Sequence, residues 1–544
     1  MKAWPWLIIL GALVLRFVGI SWGLPSIYNG DEPHIVNLAL SFGGGSLKPA
    51  FFKYPTLWPY VLCFFYGIYF VAWSVFGKLR GVTEFIGLYA WHPTGFYLIG
   101  RSLAALCQLA ALGIVVKMER ERRPAGLPWA ALLLAVSPAL VENAHSLKPD
   151  SLMMLFASCA WLFLLRLFRQ GDRPSHWACG LFVGLALSSQ YTAAGMVAAA
   201  ALAHFLSPAR PPRRFFCEAL AFAALGFFGG SPYILLDFKD FLVSLKDLSE
   251  FAAMEPWSRW AMARAVLHNL WVFPGPWSLA GVGLILGAVR LWRSEKRLVL
   301  VFLGGIAAYL VMLSNNQDGS NMRYLMGLLP GVALLSAEGL SWLEGIAAKK
   351  WTTVLLVIAA AAPGLLISAD LDHSLLLADT RRLATNWARS HIPPGSSVLL
   401  DMPDASPDLP MTREEAVELC RRTREAGSLR SRLYCGMADT HPGGGWRVFR
   451  IRRTAVDIHT SPRHVRLSQA DAPMLDVAGG LEEAAARGVE YVVTSSFGAT
   501  PQRAPELARF FAELETRASR LIEFDPVPGR IMGPRLCVYR VGKP

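Results

Sequence analysis

Long apolar runs constrain this chain more than any other feature. Through about residue 370 they recur in lengths of roughly 17 to 25 residues, each long enough for a helix to cross a ~30 Å hydrocarbon core. Of the 544 residues, 53% are hydrophobic and 17% charged, whereas about a quarter of the residues in a soluble domain are charged. The sequence therefore predicts a polytopic α-helical membrane protein.

The positive charge of the chain indicates its topology. The formal net charge is +13, and the basic residues cluster in short loops between the apolar runs, at 117–123, 166–173, 210–214 and 290–297. The positive-inside rule places such loops in the cytoplasm. We therefore interpret the charge as a topology signal and predict no nucleic-acid partner.

Fixing those loops inside predicts about eleven transmembrane helices. The predicted spans are 5–23, 96–116, 127–141, 151–168, 177–189, 191–206, 215–233, 268–289, 298–313, 323–343 and 352–369. If a further apolar run, 56–76, also crossed the membrane, every later basic loop would lie on the outer face, against the positive-inside rule. We therefore expect it to be re-entrant, or to form interfacial helices on the outer leaflet, within an outer loop at 24–95; its aromatic residues suit an interface.

The composition changes after residue 370, where long apolar runs stop. This predicts a transmembrane domain at 1–369 and an extracytoplasmic soluble α/β domain at 370–544. Expected elements are helices at 380–389 and 505–521, a turn at 393–395, and strands at 397–400, 489–494 and 536–541. Cys420 and Cys435 form either one disulfide or two free thiols in that domain. The sequence carries no nucleotide-binding fingerprint.

This topology gathers most of the polar side chains with catalytic potential on the outer face. Adjacent carboxylates at a membrane boundary, Asp31 and Glu32, are costly to desolvate and need compensation. A transferase acting on a lipid-linked phosphosugar there needs a carboxylate base, cations for the departing phosphate and an apolar groove for the lipid. Asp31 fits the base, Lys53 and Arg323 fit the cations, and the 56–76 segment fits the groove.

Each of these residues also has a simpler interpretation. The acidic pair could be a solvated loop end, Lys53 a lysine that reaches the interface, and Arg101 and Arg323 span-end charges. Asp150 opens a predicted span, where a carboxylate stabilises a helix N-terminus. His34 and His145 could assist acid–base chemistry, although a lone histidine at a loop end usually has no such role.

Short motifs in a fixed order resemble one superfamily. They are Asp31-Glu32 after the first span, Lys53-Tyr54-Pro55, Arg101-Ser102-Leu103, Ser137-Pro138 with Lys148-Pro149-Asp150-Ser151-Leu152, Gly184-Leu185-Ala186 with Gln190-Tyr191-Thr192, and Arg323-Tyr324-Leu325 with Leu329-Pro330-Gly331. Over about residues 5–345 the chain is similar to the GT-C glycosyltransferases of the protein O-mannosyltransferase and aminoarabinose (lipid A) transferase type. Asp379-Thr380-Arg381, Trp387 and Pro394-Gly395 extend the likeness more loosely into the tail.

The resemblance implies inverting sugar transfer from a polyprenyl-phosphate donor without a nucleotide or a catalytic metal. Asp31 matches the catalytic base and Glu32 its orienting partner; Lys53 matches a donor-phosphate contact and Arg323 a phosphate or sugar contact. Further candidates for substrate binding are Asp150, His34, Arg101, Gln190 and Tyr54. Gln190 departs from the pattern, since many relatives have lysine there, which weakens a phosphate role for that loop; Tyr54 replaces a common proline.

Other function classes remain alternatives. A transporter or flippase of lipid-linked sugars usually shows repeats and polar groups through the membrane depth, and neither is evident. A polysaccharide polymerase or ligase with a diphosphate-linked donor differs only in donor chemistry. A divalent metal held by Asp31, Glu32 and Asp150 is not favoured. We expect a bacterial inner-membrane protein with a periplasmic tail, whose partners are the lipid-linked donor, membrane lipids and a lipid, glycan or protein acceptor.

Overall fold

The computed structural model describes residues 3–49, 51–252, 256–316, 319–347, 350–425, 431–452, 473–498 and 505–542. These residues form two compact units. The first contains Met1–Ile20, Leu47–Leu62 and Gly100–His373, and the second contains Ser21–Ser46, Cys63–Ile99 and Ser374–Pro544. The boundary at 373 lies close to the predicted change at 370. Two segments of the outer loop, however, cluster with the C-terminal residues instead of with the apolar bundle.

The first unit is a helical bundle. Its helices are α1 Trp4–Phe17, α6 Trp129–Ala135, α7 Pro138–Ala144, α8 Asp150–Gln170, α9 Arg173–Ser189, α10 Gly195–Phe205, α11 Arg213–Gly230, α12 Tyr233–Leu236, α13 Phe238–Ala252, α14 Pro256–Val272, α15 Ala280–Ser294, α16 Lys296–Leu313 and α17 Leu329–Ile346. Short 3₁₀ helices lie at Tyr191–Ala194 and Met322–Leu325. Three helices contribute residues to both units: α3 Leu57–Val75, α5 Thr94–Arg122 and α18 Lys350–Leu375.

Five helices of the described residues are long and apolar enough to cross a membrane, namely α3, α5, α8, α16 and α18. The predicted total of about eleven crossings stays a prediction. The 56–76 run forms α3 as one unbroken helix of 19 residues. Its re-entrant or interfacial placement stays a prediction. Not all its aromatic side chains suit an interface, because Trp58 and Tyr66 are buried.

The predicted span at 268–289 is not one continuous helix. The sequence indicated a single helix at 268–289, but α14 ends at Val272 and α15 begins at Ala280. Pro274 and Pro276 lie in the break, and Gly275 between them has a φ of +119°. A proline lacks the amide that a helix needs, so two of them around a left-handed glycine end the helix despite the apolar composition.

The predicted span at 127–141 is also interrupted. Pro138 starts a new helix, α7, and cannot donate the amide bond that Leu134 O would receive in a continuous helix. The buried guanidinium of Arg16 compensates, donating to Leu134 O at 3.1 Å and to Ala135 O at 3.0 Å. Ser368 Oγ donates to Val136 O at 3.0 Å. These bonds satisfy a backbone break inside an apolar bundle, where an unpaired carbonyl is costly.

Glycines set the close packing of α9 against α11. Gly180 and Gly184 lie four residues apart on one face of α9, and a Cβ at either would clash with the carbonyl oxygen of Ala219 or Ala223 on α11. Such spacing lets two helix backbones approach where larger side chains would hold them apart. The packing fixes the end of α9, where the chain turns at Gln190.

The second unit combines outer-loop helices with an α/β domain. Its helices are α2 Asp31–Ser41, α4 Val82–Trp91, α19 Thr380–His391, α20 Arg413–Glu425, α21 Ser431–Asp439, α22 Leu481–Ala486 and α23 Ala508–Arg517, with 3₁₀ turns at Phe42–Gly44, Pro403–Ala405 and Pro505–Leu507. The strands are β1 Ala378–Asp379, β2 Ser397–Leu400, β3 Arg447–Ile451, β4 Met474–Leu475, β5 Tyr491–Ser495, β6 Ser519–Phe524, β7 Ile531–Met532 and β8 Leu536–Arg540.

The described strands form a mixed sheet of order β4-β3-β2-β5-β8-β6, and β1 pairs separately with β7. The first four strands are parallel, with Val398 opposite Val448 and Tyr491, and β8 and β6 are antiparallel. The predicted helix at 505–521 is wrong in its last part, because β6 begins at Ser519 and pairs with β8.

A disulfide joins the two helices that follow β2. Cys420 on α20 and Cys435 on α21 are bonded, with their Cα atoms 4.7 Å apart. This is one of the two states that the sequence left open. The α21 helix in turn packs on α4, where Gly436 lies against Ile86 and Gly87 against Thr440. This contact ties the 63–99 segment to the C-terminal residues.

Glu415, at the start of α20, predicts a pH dependence of stability. Burial raises the pKa of its carboxyl to about 7, although the Thr412 amide and the Arg447 charge lower it. The folded state therefore holds this proton more tightly than the unfolded chain does. The contribution of Glu415 to stability should decline as pH rises from about 4.5 to about 7.

Glu415→Gln, which keeps an oxygen acceptor for the Thr412 amide, should therefore match wild type near pH 4. Its melting temperature should exceed that of wild type at pH 8, as measured by differential scanning fluorimetry of the purified protein. Glu490→Gln, at an exposed position of the same unit, is the matched control. A difference between Glu415→Gln and wild type that stays constant with pH would contradict the assignment.

Candidate functional site

The acidic pair lies in the first turn of α2, in the second unit. Asn29 Oδ1 accepts a hydrogen bond from the Asp31 amide at 3.1 Å and so helps to begin the helix. Negative charge is favourable at this end of a helix. Glu32 is fully buried, whereas Asp31 is half-buried. Of the two carboxylates, Asp31 is the better placed to meet a substrate.

Buried tyrosines surround Glu32. Tyr66 and Tyr97 lie within electrostatic reach of its carboxylate. Tyr66 Oη donates to Phe96 O at 3.2 Å, and Tyr89 Oη donates to Asn37 Oδ1, on α2, at 2.7 Å. Sequence reasoning missed this group, because nothing in the local pattern connects tyrosines of three helices. Their packing against α2 keeps Glu32 buried; its orienting role stays a prediction.

His34 lies three residues after Asp31 and therefore on the same side of α2. It is half-buried. This position keeps it near the acidic pair, inside a helix instead of at the loop end that the sequence suggested. Its role in substrate binding stays a prediction.

A second polar cluster lies in the first unit, at the start of α8. Asp150 is the first residue of that helix and is 1% exposed. Gln190 Nε2 donates to Asp150 Oδ1 at 3.4 Å. Arg323 and Lys148 lie within electrostatic reach of the same carboxylate. The structure thus brings together three of the predicted residues, Asp150, Gln190 and Arg323, and adds Lys148.

Lys148 was missed as a site residue although its motif was noted. The available signal was its position two residues before Asp150, a candidate for substrate binding. With Lys148 included, the cluster carries two cations and one buried carboxylate beside a neutral amide. A phosphate is attracted by such a surplus of positive charge.

The loop that carries Lys53 is fixed against this cluster at several points. Tyr191 Oη donates to Phe52 O at 3.1 Å, and Trp58 Nε1 donates to Leu147 O at 2.8 Å. Tyr191 follows Gln190 in the chain, and Leu147 precedes Lys148. Lys53 itself is exposed, and it follows Phe52, whose carbonyl is bonded to Tyr191. Tyr54, the next residue, is half-buried.

Two predicted arginines differ in their surroundings. Arg323 is half-buried, donates from Nη2 to Tyr324 Oη at 2.8 Å and lies 4.8 Å from the centre of that ring. Arg101 is fully buried, and its Nη1 donates to Ile20 O at 2.9 Å, just beyond α1. The geometry of Arg101 suits support of the backbone, while Arg323 presents an oriented guanidinium. Within the described residues, no three His, Cys, Asp or Glu side chains converge as metal ligands.

Comparison with known proteins places this geometry in context. Residues 98–234 match the family model described as dolichyl-phosphate-mannose-protein mannosyltransferase. No curated protein sequence matches the chain. The matched range contains Arg101, Lys148, Asp150 and Gln190, and so includes most of the cluster in the first unit.

Solved structures resemble the chain over its whole length. ArnT from Cupriavidus metallidurans in the apo state has a TM-score of 0.55 at 16% sequence identity, covering 99% of this chain and 98% of that chain. The structure of ArnT bound to undecaprenyl phosphate gives 0.54 at 14%, covering 100% and 99%. The Archaeoglobus fulgidus oligosaccharyltransferase in complex with zinc and sulfate gives 0.45 at 12%, covering 97% and 72%. The chain therefore has the fold of ArnT, in agreement with the resemblance that its motifs indicate.

Proposed function

We propose that this protein transfers a sugar, with inversion, from a polyprenyl-phosphate donor to an acceptor hydroxyl at the extracytoplasmic face of a membrane. The acceptor belongs to a lipid, a glycan or a protein. The main support for the proposal is that this chain has the fold of ArnT and that a pair of carboxylates begins its helix α2. The same chain also gathers cations around the start of α8.

The comparisons support the nature of the donor. One of the two ArnT structures, which matches this chain over 99% of the ArnT chain, has undecaprenyl phosphate bound. The family model over residues 98–234 is described by a dolichyl-phosphate-mannose donor and a protein acceptor. Undecaprenyl phosphate and dolichyl phosphate are both lipid monophosphates with a prenyl chain. A monophosphate carrier is therefore a better expectation for this chain than a diphosphate-linked donor.

The proposed reaction is a direct displacement. Asp31 accepts the proton of the acceptor hydroxyl while the hydroxyl oxygen forms a bond to the anomeric carbon of the sugar. The bond between that carbon and the phosphate oxygen breaks, and its electron pair leaves with the polyprenyl phosphate. Attack opposite the leaving group inverts the anomeric configuration. Glu32, fixed among tyrosines, orients Asp31 and does not itself take the proton.

The cations of the first unit stabilise the leaving phosphate in this scheme. Arg323 is oriented by Tyr324, and Lys148 adds positive charge beside Asp150. Lys53 is the further cation that we assign to the donor phosphate. Charge that develops on the phosphate as the bond breaks is stabilised most by groups already in place. Gln190 holds Asp150 and supplies no charge. We further propose a bacterial inner membrane as the location, with residues 370–544 in the periplasm.

The test uses purified protein in lipid vesicles, with a panel of radiolabelled polyprenyl-phosphate sugars and candidate acceptors. Label should move to an acceptor, or slowly to water, from a monophosphate donor. Label that moves only from diphosphate-linked donors would replace the proposal with a polymerase or ligase. Label that crosses the bilayer while remaining on its carrier would indicate a flippase. Absence of any movement with every donor would refute sugar transfer from these carriers.

A further inference from the structure

A buried arginine of the C-terminal domain contacts the loop that precedes the acidic pair. Arg381 is 6% exposed and lies at the start of α19, within the second unit. It forms a bidentate ion pair with Asp379, donating from Nε to Oδ1 at 2.8 Å and from Nη2 to Oδ2 at 2.5 Å. Its Nη1 donates to Asp404 O at 2.8 Å. These bonds fix the guanidinium plane.

Two aromatic side chains of the 21–46 segment lie beside that guanidinium. The guanidinium carbon of Arg381 lies 3.6 Å from the centre of the Tyr28 ring and 5.8 Å from that of Trp22. The two rings meet edge to face, with centres 5.9 Å apart. A guanidinium held flat on an aromatic face combines stacking with cation–π attraction, which a lysine reproduces poorly. Tyr28 is therefore anchored from the C-terminal domain.

A second contact reaches the residue directly before the acidic pair. Gly30 precedes α2, and a Cβ at this position would come within 2.5 Å of Asp404 Oδ2. The Asp404 side chain therefore sits against the Gly30 backbone. The backbone carbonyl of this same Asp404 accepts the bond from Arg381. Arg381 thus connects Tyr28 and the segment that touches Gly30.

We propose that Arg381 is a positioning residue for the acidic pair, which it holds in register through Tyr28 and Asp404. Only two residues, Asn29 and Gly30, separate Tyr28 from Asp31, so a shift of the ring is transmitted to the start of α2. The inference rests on the proposed function of Asp31. It assigns a role to the Asp379-Thr380-Arg381 motif, for which sugar transfer alone gives no reason.

Arg381→Ala should lower kcat by about 10- to 100-fold, because a displacement of the order of 1 Å at a catalytic group has effects of this size. The KM values for donor and acceptor should change less than about threefold, since no substrate contact is removed. Arg381→Lys should recover only part of the rate. Arg382→Ala, an exposed neighbour on the same helix, should behave as wild type.

Hydrogen exchange measured by mass spectrometry gives a readout that does not need activity. In Arg381→Ala, exchange should rise in peptides that cover residues 22–30, while β2 and β5 stay protected. Tyr28→Leu leaves the Arg381–Asp379 ion pair intact and should reproduce both effects, whereas Tyr28→Phe keeps the ring and should not. The double variant Arg381→Ala with Tyr28→Leu should be no slower than the slower single variant.

These measurements separate two kinds of failure. Wild-type protein that transfers no sugar refutes the proposed function, and the exchange data still decide whether Arg381 orders residues 22–30. If Arg381→Ala unfolds the domain, with exchange rising in β2 and β5 as well, Tyr28→Leu decides instead. Unchanged kcat and unchanged exchange at 22–30 in Tyr28→Leu would overturn the positioning role.

Discussion

Asp31→Asn is expected to lower the rate of sugar transfer by about 10²- to 10⁴-fold, the usual contribution of a positioned general base. An amide oxygen cannot take the acceptor proton at neutral pH, so the hydroxyl would have to attack unassisted. Asp31 is half-buried and Glu32 fully buried, so Glu32 is poorly placed to substitute. The measurement is transfer of label from the donor that the panel identifies.

The fold should survive this substitution. Asparagine has nearly the same shape as aspartate, and the bond from the residue 31 amide to Asn29 Oδ1 is unaffected. Loss of one charge at a helix N-terminus costs about 0.3–1 kcal/mol. The melting temperature and the binding of labelled carrier lipid should therefore stay near those of wild type. Glu84→Gln, at an exposed position of the same unit, controls for loss of a carboxylate. Full transfer by Asp31→Asn would remove Asp31 as the base.

Local pattern predicted much of the fold. The α8 helix begins one residue before its predicted start at 151, and β2 occupies the predicted 397–400. Apolar run length and strand alternation are properties of neighbouring residues, so they are legible in a sequence. The errors arose where a helix is ended by proline, or where a strand forms by pairing with a residue segment distant in the sequence. Pro274 and Pro276 divide an apolar run, and β6 forms because β8 is available to pair with it.

The candidate site was predictable in part for the same reason. Asp31, Lys53, Asp150 and Arg323 stand out because charges are rare beside apolar runs. Their surroundings do not follow from the sequence. The tyrosines around Glu32 come from separate helices, and Arg381 meets Tyr28 from the other end of the chain. Such contacts depend on how the elements pack, which neither spacing nor composition specifies.

The division of the chain changes how the tail is understood. A boundary at residue 370 suggests an accessory domain joined to a complete catalytic bundle. In the structure, the helix that carries Asp31 and Glu32 clusters with the C-terminal residues. The proposed catalytic pair and the cations of the α8 cluster thus belong to different compact units. A deletion after residue 370 would remove the support of α2, so loss of activity in such a variant would not identify a separate acceptor-binding role.

Arg323→Ala is the second large effect that we expect. Among the cations of the first unit, Arg323 is half-buried and already oriented by Tyr324, whereas Lys53 is exposed. Preorganised charge stabilises a leaving group more than mobile, solvated charge does. We therefore expect kcat/KM for the donor to fall about 10²- to 10³-fold in Arg323→Ala. Lys53→Ala should cost nearer tenfold, since an exposed charge contributes less.

The difference in kcat/KM between Arg323→Ala and Lys53→Ala tests which cation contacts the phosphate. Initial rates at varied donor and fixed acceptor concentrations, then the reverse, show whether the loss lies on the donor side. Arg264→Ala removes an exposed arginine of the same unit and should leave both series unchanged. Arg323→Lys should retain more activity than Arg323→Ala, because the charge remains although the fixed geometry is lost. If Arg323→Ala changes only the acceptor KM, Arg323 binds the acceptor, and the stabilisation of the leaving phosphate falls to Lys148 and Lys53.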